Sequence, residues 1–160
     1  MADSSHSPAL RSVVWGGVLC GIFDIIQAFL AWGLLMNVPP VRILQSIASG
    51  ALGPASFRLG WRSAALGLFF HFLIAFGAAT VYWVASRRIS FLIDRAVPAG
   101  ILYGECVYVF MNCVVVPLSA IHRFPTFSLP HILTGPIGHA VLVGLPIALV
   151  ARHYSNPQNE

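Results

Sequence analysis

Lysine does not occur in this sequence, and charge of either sign is scarce. Nine arginines and five acids make up 9% of the 160 residues, against about 25% in an average soluble domain. So thin a polar cover cannot clothe a water-facing globule, and the solvent for most of the surface must be lipid. The arginines stand singly, or as one pair, between apolar runs. Nucleic-acid binding needs a basic patch or stripe, so this spread excludes that partner and has the form of membrane topology signals. Cysteine is limited to Cys20, Cys106 and Cys113. Their number is odd, they lack C-x-x-C spacing and all three lie inside apolar runs. That is the pattern of small buried hydrophobes, not of a disulfide framework or a thiolate metal site. Nucleophile elbows, Walker loops, dinucleotide fingerprints and H-E-x-x-H are missing too, so the chain is read as non-enzymatic. No secretory signal or lipidation pattern is expected to operate.

What the sequence does contain is long apolar runs. The clearest is WRSAALGLFFHFLIAFGAATVYWVASRR, from Trp61 to Arg88, with no formal charge between Arg62 and Arg87. A helix of that length, at about 1.5 Å per residue, covers roughly 36 Å and crosses a bilayer with some tilt. The plan recurs three more times. The expected fold is all-α: a polytopic membrane four-helix bundle forming one integral membrane domain over 1–160. The spans fall near 11–36, 61–86, 96–121 and 129–151. Residues 1–10 are small and polar and are expected to be disordered. Trp15 and Trp32, near the two ends of the first span, suit interfacial aromatic belts.

The stretch PPVRILQSIASGALGP, 39–54, is shorter. Pro40 suits a first helical position and Gly53-Pro54 ends the pattern, which predicts a helix near 40–52. Val41, Leu44, Ile47 or Ala48, and Ala51 or Leu52 keep helical period, with Arg42, Gln45, Ser46 and Ser49 on the other side. A helix too short to span and divided in this way is expected to lie in the interface. A re-entrant element capping a cavity is the rival reading.

Small residues mark the faces on which the spans should pack. Gly17 and Gly21 share a face of the first span, Gly67 lies in the second, and Gly100-x-x-x-Gly104 opens the third. Such spacing allows close backbone approach between helices. On or beside these faces lie the polar residues Asp24 and Gln27, His71, Glu105 and Asn112, and His139. His131, Gly135 and His139 follow one another at four-residue intervals.

Depth can be read by counting from the arginine at one end of each span. Asp24 is thirteen residues from Arg11, His139 thirteen from Arg152, Glu105 ten from Arg95 and His71 sixteen from Arg87. At about 1.5 Å per residue, the four occupy a band roughly 9 Å deep near the midplane. An ionised carboxylate there costs about 3 kcal/mol on insertion scales. Acid–imidazole pairing would offset that cost, with at least one of the two histidines expected within hydrogen-bond or one-water reach of Asp24 or Glu105. The plainer account is that these groups join helices by hydrogen bonds worth about 0.6 kcal/mol each. Arginine counts, five against four, place both termini in the cytoplasm.

The order of features is similar to the YagU-like family of bacterial inner-membrane proteins, a domain of unknown function. The resemblance lies in Pro39-Pro40 after span one and His71 in span two. It continues with Gly100…Gly104…Pro117-Leu118 in span three and Gly138-His139 in span four. It implies a four-helix protein of the bacterial inner membrane and supplies no reaction or cofactor. Asp24 and Glu105 are not carried by it, so their role rests on this sequence alone.

Three functions fit these residues. The first is the handling of protons, ions or a small solute through the acid–histidine band, with a homo-oligomer widening so narrow a bundle. The second is a metal or haem protein using His71 and His139 as ligands, joined by Asp24 and Glu105 around a divalent ion. The third is an accessory subunit whose glycine faces pack on a partner in the bilayer.

Overall fold

The fold is described from a computed structural model covering residues 7–122 and 129–155, the side chains of 129–133 excepted. Among the described residues every regular element is a helix. Helix α1 is Pro8–Met36, α2 is Pro40–Leu52, α3 is Trp61–Ser86, α4 is the single turn Phe91–Asp94, and α5 is Ala96–Leu118. Helix α6 runs as Leu129–Gly138, then His139–Gly144, then Leu145–Ser155. Four helices are long and apolar enough to cross a membrane: α1, α3, α5 and the Thr134–Ser155 part of α6. The chain is therefore a multi-pass membrane protein.

Local chemistry sets the ends. Ser7 caps α1 by accepting from the Leu10 amide, and Pro8 fills the first turn, where no amide donor is needed. The helix thus starts inside the stretch 1–10 expected to be disordered; residues 1–6 lie outside the described residues. Asn37, at φ 52°, closes α1 in the left-handed region just ahead of Pro39-Pro40. Gly53 and Gly60, at φ 58° and 57°, end α2 and launch α3. Helix α5 stops at Leu118, three residues short of the expected boundary, and α4 occupies what reads as a polar connector.

Both α5 and α6 contain a π-helical turn, Met111–Val115 and His139–Gly144. Each lies just ahead of a proline. Val116 donates to the Met111 carbonyl and Leu145 to that of Ala140, five residues back. Pro117 and Pro146 follow directly. A proline ring clashes with the carbonyl four residues before it, and the wider turn moves that carbonyl away.

Around the bundle the order is α3, α1, α6, α5. The tight seams use bare backbone. A Cβ on Gly104 would meet the His139 carbonyl, one on Gly144 the Gly100 carbonyl, and one on Gly100 would lie 2.9 Å from Ala148. Gly17 and Gly21 face the Phe76 and Phe72 rings across the α1–α3 seam. The α3–α5 seam is different, since these helices stay apart along most of their length. Tyr103 Oη bridges them by donating to the Ala78 carbonyl at 2.7 Å, and its ring packs on Tyr82 with centroids 4.9 Å apart. Towards the other end the seam opens beneath α2.

Helix α2 has the expected bounds but not the expected sides. Gln45 and Ser49, read as its outer polar face, are buried, whereas Ala51 and Leu52 are exposed. Gln45 donates to the Gly60 carbonyl at 3.0 Å, and Ser56 donates to the Gln45 carbonyl at 2.7 Å. Ser63 in turn donates to Ser56 at 2.6 Å. The reason is the turn Gly53–Arg58, which packs back on α2: its Ser56 hydroxyl meets the Gln45 carbonyl, and the Gly60 carbonyl just after it takes the Gln45 side chain. On α3, Gly67 lets the Leu44 carbonyl come so close that a Cβ would collide with it. Helix α2 is a packed lid on the bundle.

Candidate functional site

The six polar residues singled out in the sequence do not all converge. Asp24, Gln27, His71, Asn112 and His139 line one cavity of about 310 Å³, enclosed by α1, α3, α5 and α6 and covered by α2. Glu105 does not. It is half-exposed on α5, outside the cavity. Its neighbour Gly104 explains this. Because Gly104 must face the His139 backbone, the next residue is turned about 100° round the helix. The expectation that at least one histidine lies beside Asp24 or Glu105 is met by one pair, and Glu105 takes no part in it.

That pair is Asp24 and His71. His71 Nε2 donates to the Gly21 carbonyl at 2.8 Å, and Nδ1 lies 4.0 Å from Asp24 Oδ2. It is the one ion-pair contact among the described residues, with the two side chains 11% and 23% exposed. A carbonyl can only accept, so Nε2 carries a proton. In the neutral ring Nδ1 is then an acceptor facing another acceptor, the carboxylate. A further proton, or a donor such as water, belongs between them. Opposite unit charges 4 Å apart attract by about 4 kcal/mol at an effective dielectric of 20. That matches in size the roughly 3 kcal/mol a lone carboxylate costs at this depth.

His139 has a different neighbourhood. Its Nδ1 donates to the Gly135 carbonyl at 2.9 Å, and its ring meets Tyr108 edge-on, centroids 5.2 Å apart. Gln27 donates to the Thr134 carbonyl at 3.3 Å, tying α1 to α6, and Asn112 donates to the Tyr108 carbonyl at 2.9 Å within α5. His139 opens one π-helical turn and Asn112 lies in the other. Such turns are frequent at functional sites. His131 belongs to the 129–133 side chains outside the description, and Arg123, counted for topology, lies outside the described residues.

Sequence reasoning missed Ser46, Trp32 and Thr134, which also line the cavity. Ser46 carries no signal of its own: only the rival reading of 39–54, an element capping a cavity, places this stretch over a site, and it singles out no residue. The cysteines take no part as a cluster. All three are free, with Cys20 buried at the cavity wall and Cys106 and Cys113 exposed.

Chemically, the cavity offers a carboxylate, two imidazoles, two amides and a phenol, with no arginine among the described residues of its walls. It suits protons, water, a cation or a small hydrogen-bonding solute. A tight metal centre is poorly served: among the described residues no three His, Cys, Asp or Glu side chains come together in a metal-holding group. His71 and His139 each hold one ring nitrogen on a backbone carbonyl, as metal-bound histidines also do, so it is the missing third ligand that counts against a tight site. Comparison with protein-family models, with curated proteins and with solved structures finds nothing that matches this chain.

Proposed function

We propose that this is a non-enzymatic membrane protein that handles protons, ions or a small polar solute through its bundle cavity, with Asp24 and His71 as the proton- or cation-accepting element. The observation that carries this reading is the 4.0 Å approach of His71 Nδ1 to Asp24 across the α1–α3 seam, in a cavity whose described walls hold no arginine. Two acceptors facing each other in a low-dielectric setting form a site that a proton or a donor-bearing solute fills. Ionisable residues inside a membrane bundle mark ion and proton pathways.

Placement in a bacterial inner membrane with both termini cytoplasmic, and membership of the YagU-like family, belong to the same proposal. They rest on the short motifs and the arginine bias. The test uses protein reconstituted into liposomes loaded with a pH-sensitive dye. Asp24→Asn and His71→Gln should each lower proton flux by roughly tenfold or more, as loss of an essential proton-transfer group does. Glu105→Gln, outside the cavity, should leave it unchanged. Wild-type flux in both cavity variants would overturn the reading.

A further inference from the structure

A second hollow adjoins the first. It has a volume of about 760 Å³ and lies where the α3–α5 seam opens beneath α2 and the Gly53–Arg58 turn. Its walls are mainly apolar, with Phe57, Phe70, Leu73, Val115 and Val116, and carry the hydroxyls of Ser46, Ser49 and Ser119. Ser46, Ile47, Ile74 and Met111 line both this groove and the polar cavity, so the two volumes meet at those four residues. Leu73 and Val114 beside it are exposed, which in a spanning bundle means exposed to lipid.

An apolar groove reached from the hydrocarbon side and ending in a polar chamber matches a molecule with a tail and a head. The chamber decides the head. It presents a carboxylate, histidines, amides and hydroxyls, while among the described residues no arginine lines it, and the chain has no lysine. A primary ammonium offers three donors and a positive charge to such acceptors. A sulfate or phosphate would meet Asp24 with no fixed cation to hold it. We infer that the solute of this cavity is a single-chain amphiphilic amine that enters from the membrane, its alkyl tail in the α2–α3–α5 groove and its ammonium at Asp24. The inference rests on the reading of the cavity as a solute site and adds the ligand's class and its route.

The experiment uses full-length protein in phosphatidylcholine liposomes and decylamine carrying a terminal diazirine, with labelled positions read by peptide mass mapping. In wild type the label should concentrate on groove residues such as Phe70, Leu73 and Val115, and unlabelled decylamine should compete it away. Asp24→Asn should reduce groove labelling about tenfold, the loss of one charge-assisted hydrogen bond. Decyl sulfate with the same diazirine should not concentrate there. Competition and the sulfate comparison are both measured in wild type, so these two readouts do not depend on how well the variant folds. Label spread evenly over the lipid-facing residues Leu34, Val81 and Leu102, or equal groove labelling by the sulfate or in Asp24→Asn, would overturn the inference. Loss of proton flux in Asp24→Asn without groove labelling would leave the proton reading standing and remove the amphiphile. Groove labelling that depends on Asp24, with unchanged flux, would support the amphiphile and remove proton conduction.

Discussion

The carbonyl oxygen of His139 occupies the space that a side chain at position 104 would need, so Gly104 both joins α5 to α6 and sets which way α5 faces. The nearby Gly100–Gly144 approach repeats the contact one turn away. Replacing Gly104 by Ala should destabilise the bundle by about 1–3 kcal/mol, the usual cost of overpacking, and Leu by more. Thermal unfolding in detergent measures it. An unchanged midpoint for Gly104→Leu would mean that the seam is not formed as described.

His71 does two separable jobs. Gln at position 71 keeps a donor for the Gly21 carbonyl but cannot titrate, whereas Leu loses both. His71→Gln should therefore hold stability within about 0.5 kcal/mol, while His71→Leu loses about 1 kcal/mol, one net hydrogen bond. Equal stability of the two variants would indicate that the Gly21 bond carries no weight.

The lid is held by buried polar contacts, and Gln45 is their centre. Gln45→Ala leaves the Gly60 carbonyl without this donor beside the buried Ser56–Ser63 chain. The expected cost is about 0.5–1.5 kcal/mol, one net hydrogen bond, since the Gly60 carbonyl keeps Ser63 and Ala64 as donors. Proteolysis or hydrogen exchange confined to 40–60 should rise before the rest of the bundle loosens. Uniform exchange across the chain would argue against a separately anchored lid.

The native cysteines report the packing without any substitution. Cys20 is buried at 1% exposure, while Cys106 and Cys113 are exposed on a span. In liposomes a membrane-permeant maleimide should modify the latter two and spare Cys20. A charged, impermeant reagent should modify none, since the exposed pair faces hydrocarbon. Rapid labelling of Cys106 by the impermeant reagent would place that face of α5 in water.

The sequence alone determined the lengths and depths of the helices. A run from Arg62 to Arg87 without charge is long enough to span wherever it packs, and Pro40 and Gly53 bound α2 through their own backbone preferences. Level along a helix axis is a count of residues, so Asp24, His71, Glu105 and His139 could be expected at similar heights, and three of them do line one cavity. Rotation about each axis was not, because one residue turns the face by about 100° and several small-residue stripes compete to face a neighbour. Only the packed structure chose Gly104 against His139, which sends Glu105 out of the cavity and leaves Asp24 as its one carboxylate. It also laid the Gly53–Arg58 turn over α2, so that Gln45 and Ser49 face protein. The same packing held α3 and α5 apart and opened the groove. These are choices between surfaces of similar apolarity, settled by backbone approaches between residues far apart in the chain.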